Sequence, residues 1–311
     1  MKEVICNLCG QDDWEVRFWS TFADGEHLEV DAFRCTSAGY GSHPQIVQCR
    51  KCGHVYANPS WDPDELLAAY TAVEDETYLH ERVGRERTFT KHLQSLERFA
   101  GHGEGRALLD VGAYIGVFVE VALAHGWDAI GVEPSEWAAR VAGGKGLPVL
   151  EGTLDLGVLQ ERLFDVITLW DVIEHFDDPN QELEKVYALL KPGGFVAVHT
   201  MDIESLAAKM MGRRWPWLMD MHIHYFSRNT LAQLLRQCGF EIVWTGSQGR
   251  YLSLGYLTTR LAGLSKTLGR LSHRLVHAIG REDTTVPVNF GDLFTIYARR
   301  PQLGQNHTSL S

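Results

Sequence analysis

Four cysteines fall in two pairs of one form, Cys6-Asn-Leu-Cys9-Gly10 and Cys49-Arg-Lys-Cys52-Gly53. A Cys-x-x-Cys turn places two thiolates on one side of a backbone knuckle, and two knuckles can close a tetrahedral site of four sulfurs. The glycine after each second cysteine lets the chain curl around a metal. The pairs stand 39 residues apart, longer than the usual ribbon spacing, and Cys35 lies between them as a competing ligand. The expectation is one structural zinc on Cys6, Cys9, Cys49 and Cys52. Four protein ligands leave no open position, so such a site serves folding rather than catalysis.

A second constellation begins at Leu108-Leu-Asp-Val-Gly-Ala-Tyr-Ile-Gly116. It reads as the end of a strand and the start of a helix. Gly112 lets the backbone approach a ligand, and Gly116 lets the helix pack closely on a sheet. A dinucleotide site would present G-x-G-x-x-G and set a pyrophosphate on the helix N-terminus. Here the loop opens with a carboxylate, Asp110, which repels pyrophosphate and suits a cation. S-adenosylmethionine is such a ligand, with a sulfonium, an ammonium and no phosphate. Glu133, in Gly131-Val-Glu-Pro-Ser135, ends the next apolar run, 23 positions after Asp110. An acidic side chain there can take both hydroxyls of a ribose. Taken alone, the loop is equally a strand–helix turn without a ligand.

These residues need a frame. Residues 1–60 are rich in turn formers and aromatics, a module built around the cysteines. Asp62 or Asp64 can cap a helix through Leu66, Leu67 and Tyr70, and a second helix is expected over roughly 78–100, with Phe89, Leu93, Leu96 and Phe99 on one face. Residues 61–104 thus form a helical connector. Beyond it, apolar runs at 107–111, 129–132, 164–170 and 195–200 alternate with helical patterns at 116–126, 135–143 and 179–191. That alternation predicts an α/β fold with a parallel sheet between helices. A helix at 228–239 and strands at about 240–245 and 290–299 follow, with a helical insertion at 250–282 and a polar tail at 301–311.

Composition narrows the function classes. The 311 residues are 45% hydrophobic and 22% charged, ordinary for a folded soluble chain. The formal net charge of −11 disfavours non-specific nucleic-acid binding, which rewards clustered Lys and Arg. No apolar run reaches the ~18 residues of a membrane span, and MKEVICNLCG lacks the apolar core of a signal peptide. A cytoplasmic protein with reduced cysteines is the expectation.

The ordered set DVGAYIG, GVEPS, FDVITLWDVIEHFDDP, LLKPGG and HIHYFSRNTLAQLLRQCGFE resembles the S-adenosylmethionine-dependent methyltransferases with a Rossmann-like seven-stranded sheet, over about 105–300. The knuckles, including VQCRKCGHVYANP, look like those of a bacterial subgroup acting on sugars, surface polysaccharide precursors and natural products. The resemblance implies that Asp110, Gly112 and Gly116 surround the methionine part of S-adenosyl-L-methionine. Glu133 would hold the ribose, Pro134 would lie beside the adenine, and Thr153 and Leu154 would cover it. Asp155 is a partner for the adenine amino group, and Trp170 and Asp171 line the pocket. Tyr114 departs from the family, which usually has a glycine there. Its hydroxyl can meet the methionine carboxylate, or its ring can narrow the substrate entrance.

The implied reaction is methyl transfer to a hydroxyl, less readily to a carbon, of a small-molecule, sugar-containing or sugar-linked acceptor. An RNA methyltransferase and a non-catalytic binding protein are the alternatives; a nicotinamide oxidoreductase is disfavoured by Asp110. A hydroxyl acceptor benefits from a general base, typically worth ~10²–10⁴-fold. His224 and His222, in Met221-His-Ile-His-Tyr225, are the first candidates because strand alternation turns both the same way. His175, after the fourth strand, is the third.

From Arg250 to Arg281 the chain holds no Asp or Glu, against Arg250, Arg260, Lys266, Arg270, Arg274 and Arg281. Leu257, Leu261, Leu264, Leu268, Leu271 and Leu275 recur at spacings of three and four. The expectation is a basic amphipathic helix whose leucines pack on the domain or a dimer seam. Its alternative roles are a lid over an anionic acceptor or a peripheral membrane contact at the inner face of the membrane.

Overall fold

The computed structural model describes residues 1–22, 30–34, 36 and 40–302. Cys35 and the tail beyond Gln302 lie outside them. The chain opens with strands β1 (Trp14–Phe18), β2 (Ile46–Cys49) and β3 (Val55–Ala57), then helices α1 (Pro63–Thr71), α2 (Glu76–His80) and α3 (Arg82–Ala100). Asp62 caps α1 by accepting from the Asp64 N–H, and Pro63 begins the helix where no amide donor is needed. The single helix expected over 78–100 is broken at Glu81. The Glu81 carboxylate accepts instead from the Ser253 hydroxyl at 2.7 Å, tying this break to the late insertion. Leu93 and Leu96 are buried as their spacing required, while Phe99 is partly exposed and rests on Trp244 and Tyr297.

The sheet is laid down by β4 (Ala107–Val111), α4 (Val117–Ala124), β5 (Asp128–Glu133), α5 (Glu136–Gly144), β6 (Val149–Glu151), β7 (Phe164–Trp170), α6 (Pro179–Leu189) and β8 (Leu190–Met201). After α7 (Leu206–Met211), β9 (His224–Tyr225) and α8 (Arg228–Gln237) comes β10 (Glu241–Ser247). The insertion is β11 (Arg250–Ser253), α9 (Leu254–Leu264), α10 (Lys266–Ala278) and β12 (Thr285–Val288), and β13 (Leu293–Arg299) follows it. The large sheet runs β10-β13-β8-β7-β4-β5-β6. Its strands from β6 to β8 are mutually parallel, and β13 is antiparallel to both β8 and β10. This is the seven-stranded Rossmann-like topology that the motif order implied. The chain leaves β4 toward β6 and returns to β7 on its other side, so the strand order reverses at β4. Parallel sheets bind ligands beyond the strand ends at such a reversal.

The cysteine module shares its packing with this sheet. β9 pairs with β3, completing a small sheet of order β1-β2-β3-β9. Cys6, Leu8, Val47, Cys49 and Tyr56 belong to the same buried cluster as Ile167, Val196, Phe226 and Leu231.

The insertion differs from the expected helical segment. Its ends are strands, since β11 and β12 pair antiparallel. Its helices break at Ser265, whose side chain caps α10, so the leucines are not on one helix face. A Cβ on Gly269 would stand 2.3 Å from the Ala262 Cβ, so glycine is required where α10 crosses α9.

Candidate active site

A cavity of about 1050 Å³ opens beyond the C-terminal ends of β4, β5, β6 and β7. Asp110, the fourth residue of β4, is buried, and the Thr168 hydroxyl donates to its Oδ1 at 2.7 Å. Burial pushes the Asp110 carboxyl up to about 8, opposed by that hydrogen bond. Gly112 has φ +67°, and a Cβ there would lie 2.6 Å from Val172 Cγ2. Gly116 has φ +77° and starts α4; a Cβ would meet Leu147 at 2.9 Å. It supports the loop from behind rather than lining the cavity.

Glu133 ends β5 on the same wall. The Tyr114 N–H donates to its Oε2 at 2.8 Å and the Ser135 N–H to its Oε1 at 2.9 Å. Burial raises its carboxyl to about 7 against these two amides. Tyr114 itself has φ +50°. Its ring packs edge-on against Tyr78 at 4.4 Å, with Trp137 at 5.9 Å, and Tyr114 lines the cavity.

Pro134, Thr153, Leu154, Trp170 and Asp171 also line the cavity. Asp155 is at its rim, where Lys185 takes its carboxylate at 2.7 Å and holds its pKa low. That ion pair competes with the adenine contact expected of Asp155. The Trp170 indole Nε1 is buried without a hydrogen-bond partner.

The opposite half of the cavity was only partly foreseen. Asp171 has φ +58°, and Arg250 of β11 pairs with its Oδ1 at 2.5 Å. His222 lines this half, and its Nδ1 donates to the Trp217 carbonyl at 2.8 Å, leaving Nε2 for a ligand. Burial lowers its pKa to about 3, helped by His175. His175 Nδ1 meets the Met221 carbonyl at 2.8 Å and the Tyr70 hydroxyl at 2.5 Å. The two imidazole centroids are 5.0 Å apart.

His224 is elsewhere. It does not line this cavity; its Nδ1 lies 3.1 Å from His54 Nε2, buried where β9 meets β3. Alternation failed as a guide because only His224 is in the strand, while His222 sits in the preceding turn with its N–H on the Met219 carbonyl.

Several site residues gave weaker signals in the sequence. Glu174 is fully buried beside His175, accepts from the Thr200 hydroxyl at 2.9 Å, and is pushed up to about 8 by burial and by Asp171. Glu174, His175 and His222 bring ligand atoms within 4.8 Å of one another, a donor set that can hold a proton or a cation. Arg85 on α3 carries no motif at all. Arg250 and Arg260 were visible only as members of the acid-free run.

The four cysteines converge as the knuckles required. Cys6 Sγ lies 3.5 Å from Cys52 Sγ, and Cys9 Sγ 3.5 Å from Cys49 Sγ, with all four sulfurs within 4.8 Å of one another. None is in a disulfide. A tetrahedral zinc with bonds of about 2.3 Å sets sulfurs roughly 3.8 Å apart, so the cluster fits that ion.

Residues 84–245 match the family model described as a methyltransferase domain. The chain belongs to this methyltransferase family. The methyltransferase is 29% identical over 167 residues to a ubiquinone biosynthesis O-methyltransferase of Bordetella avium, covering 48% of this chain and 68% of the relative. It is 30% identical over 187 residues to the protein of that name from Nitrobacter winogradskyi, covering 56% and 69%. Among solved structures, a SAM-dependent methyltransferase from Archaeoglobus fulgidus superposes with a TM-score of 0.49 at 19% identity, covering 72% of this chain and all of that one. S-adenosylmethionine is the methyl donor of SAM-dependent methyltransferases, and the residues present fit it. A buried carboxyl at Asp110 can meet a cation, the left-handed backbone at Gly112 lets the turn pack closely on Val172 where no Cβ would fit, and Glu133 offers acceptors for a diol.

Proposed function

We propose that this methyltransferase methylates a hydroxyl of a small secondary metabolite, of the sugar-containing kind. The observation that carries the reading is the placement of His222 across the same cavity from Asp110 and Glu133. When bound, S-adenosylmethionine supplies an electrophilic methyl on a sulfonium. Asp110, Gly112, Glu133 and Leu154 hold the donor, and the Trp170–Asp171 turn separates it from the acceptor half. A hydroxyl is a weak nucleophile, so loss of its proton must accompany attack. His222 is placed for this: its Nδ1–H is fixed on a carbonyl, so Nε2 keeps a lone pair facing the cavity side of the ring. Burial and Asp171 push the Glu174 carboxyl up, which favours its uncharged form beside His222. Oxygen as the acceptor atom is supported by the O-methyltransferase names of the relatives. Trp217, Tyr70 and Tyr251 give that half aromatic walls of the kind on which sugar rings stack.

The test is turnover of labelled methyl donor against a panel of sugar-containing and phenolic hydroxyl compounds. His222→Ala should lower kcat by ~10²–10⁴-fold with cofactor affinity unchanged. Wild-type turnover in that variant would remove the base from the account.

Two further parts of the molecule have proposed roles. We infer that Cys6, Cys9, Cys49 and Cys52 hold one structural zinc. We also propose that α10 rests on an anionic membrane surface. Leu268, Leu271, Leu275 and Ile279 are 59%, 67%, 64% and 59% exposed in the single chain, where packing on the domain or a dimer seam was expected. Lys266, Arg270 and Arg274 are on the same helix, in a stretch without acidic residues, so its charge complements anionic headgroups. Among the described residues no helix is long and apolar enough to cross a membrane.

A further inference from the structure

Both ends of the insertion close on one side chain, Trp217. Arg250 opens β11, and its guanidinium lies 5.1 Å from the Trp217 ring centroid while pairing with Asp171. Asp292 stands where the insertion rejoins the sheet, between β12 and β13, and its Oδ2 accepts from the Trp217 indole Nε1–H at 3.0 Å. The same oxygen accepts from the Trp215 indole at 3.2 Å. Arg250 is the register partner of Val288, so the two ends arrive together. Nothing in the methyl-transfer reading yet accounts for a carboxylate that receives two indole N–H groups.

Asp292 is buried, as is Trp215. An indole N–H can only donate, and a buried one without an acceptor carries its full desolvation cost. Asp292 therefore fixes the edge of each ring. Its own backbone is tied down, since its carbonyl accepts from the Asp202 N–H at 2.8 Å. Trp217 lies in a turn outside any helix or strand. Side-chain anchors, rather than a backbone ladder, thus set where its carbonyl points.

That carbonyl accepts from His222 Nδ1 at 2.8 Å. A carbonyl only accepts, so the proton of the neutral ring sits on Nδ1 and the bare nitrogen is Nε2. Without the carbonyl, the ring can carry its proton on either nitrogen. An Nε2–H ring cannot take a proton from an acceptor hydroxyl at that atom.

We propose that Asp292 is a positioning residue of the methyl-transfer site: it anchors Trp217 and, through the Trp217 carbonyl, keeps His222 in the Nδ1–H form with Nε2 open to the acceptor. The inference rests on the reading of His222 as the group that takes the acceptor's proton. It gives the insertion a part in the reaction, because its two ends hold the residue that sets the tautomer.

The experiment is nitrogen NMR of the full chain carrying labelled histidine, at neutral pH. Protonated and bare imidazole nitrogens resonate far apart, and the His222 signals are those lost in His222→Gln. The wild-type ring should show Nδ1 protonated and Nε2 bare. Asp292→Ala should convert a measurable share of the molecules to the Nε2–H form. Asp292→Asn, which keeps an oxygen for the indoles, should restore the Nδ1–H form, a rescue that a loss of packing alone would not give. Should Asp292→Ala fold poorly, Trp217→Phe removes the same indole donor and reads the same change. A His222 ring that stays wholly Nδ1–H in Asp292→Ala and in Trp217→Phe overturns the proposal, as does an asparagine variant no different from the alanine one. The underlying reading fails separately: if His222→Ala keeps wild-type turnover, His222 is not the base, and the spectra still report whether Asp292 holds its tautomer.

Discussion

His54 Nε2 and His224 Nδ1 stand 3.1 Å apart, with their rings stacked at 5.3 Å, and this buried pair joins the cysteine module to the segment that follows the fifth parallel strand. Two residues earlier the same segment delivers His222 to the cavity. The module therefore positions a wall of the site, and Phe33 and Tyr40 from it line the cavity.

His224→Ala should accordingly destabilise without disabling. Loss of a buried hydrogen bond and packed ring predicts about 1–3 kcal/mol, read as a fall in the denaturation midpoint. Turnover per folded molecule should stay within about twofold of wild type. A kcat collapse at unchanged stability would restore His224 as a candidate base.

Two opposed sets of buried groups predict a stability maximum in pH. His54, His92, His199, His222 and His224 all have pKa values lowered mainly by burial. The unfolded chain binds more protons there, so stability rises with pH up to about 6.5. Asp110, Glu133 and Glu174 are instead raised, to about 8, 7 and 8. Their unfolded counterparts ionise near pH 4, so their contribution is present below that pH and lost as pH rises through 7 and 8. The unliganded protein should melt highest near pH 6.5 and lower at pH 8, and Asp110→Asn should flatten the alkaline fall. A melting temperature that keeps rising to pH 8 would contradict the raised carboxyls.

The cysteine cluster predicts one zinc per chain in protein purified without added metal, measured by elemental analysis. Stripping it with a chelator should lower the melting temperature, and Cys6→Ser should lower solubility more than cofactor affinity. Metal-free protein of unchanged stability would reduce the cluster to four packed thiols.

Sedimentation with vesicles tests the α10 surface. The chain should pellet with vesicles rich in anionic lipid at low salt, and less so at high salt. Leu271→Ser with Leu275→Ser should abolish pelleting without changing turnover. No sedimentation at low salt, or self-association lost in the same double variant, would assign the face to another partner.

The parallel strands and the cofactor wall were legible because a single short range encodes them. Ala107–Val111 and Phe164–Trp170 are short, mostly apolar runs, and Asp110, Gly112 and Glu133 stand at fixed distances around the turns. The acceptor half was not legible in the same way. It is assembled from Arg85 on α3, Glu174 after β7, His222 before β9, and Arg250 and Arg260 in the insertion, residues that no local pattern links. Asp155 illustrates the converse: its motif position was clear, but its partner Lys185 lies 30 residues on. The helix break at Glu81 is likewise set by Ser253, a contact across 172 residues.

The most direct measurement is calorimetric titration of the chain with S-adenosylmethionine and, in parallel, with NADH. Binding of one S-adenosylmethionine per chain is predicted, weakened about tenfold or more by Glu133→Ala through loss of the charged diol acceptor, with no heat from NADH. Saturable NADH binding without any response to S-adenosylmethionine would contradict the account at its centre.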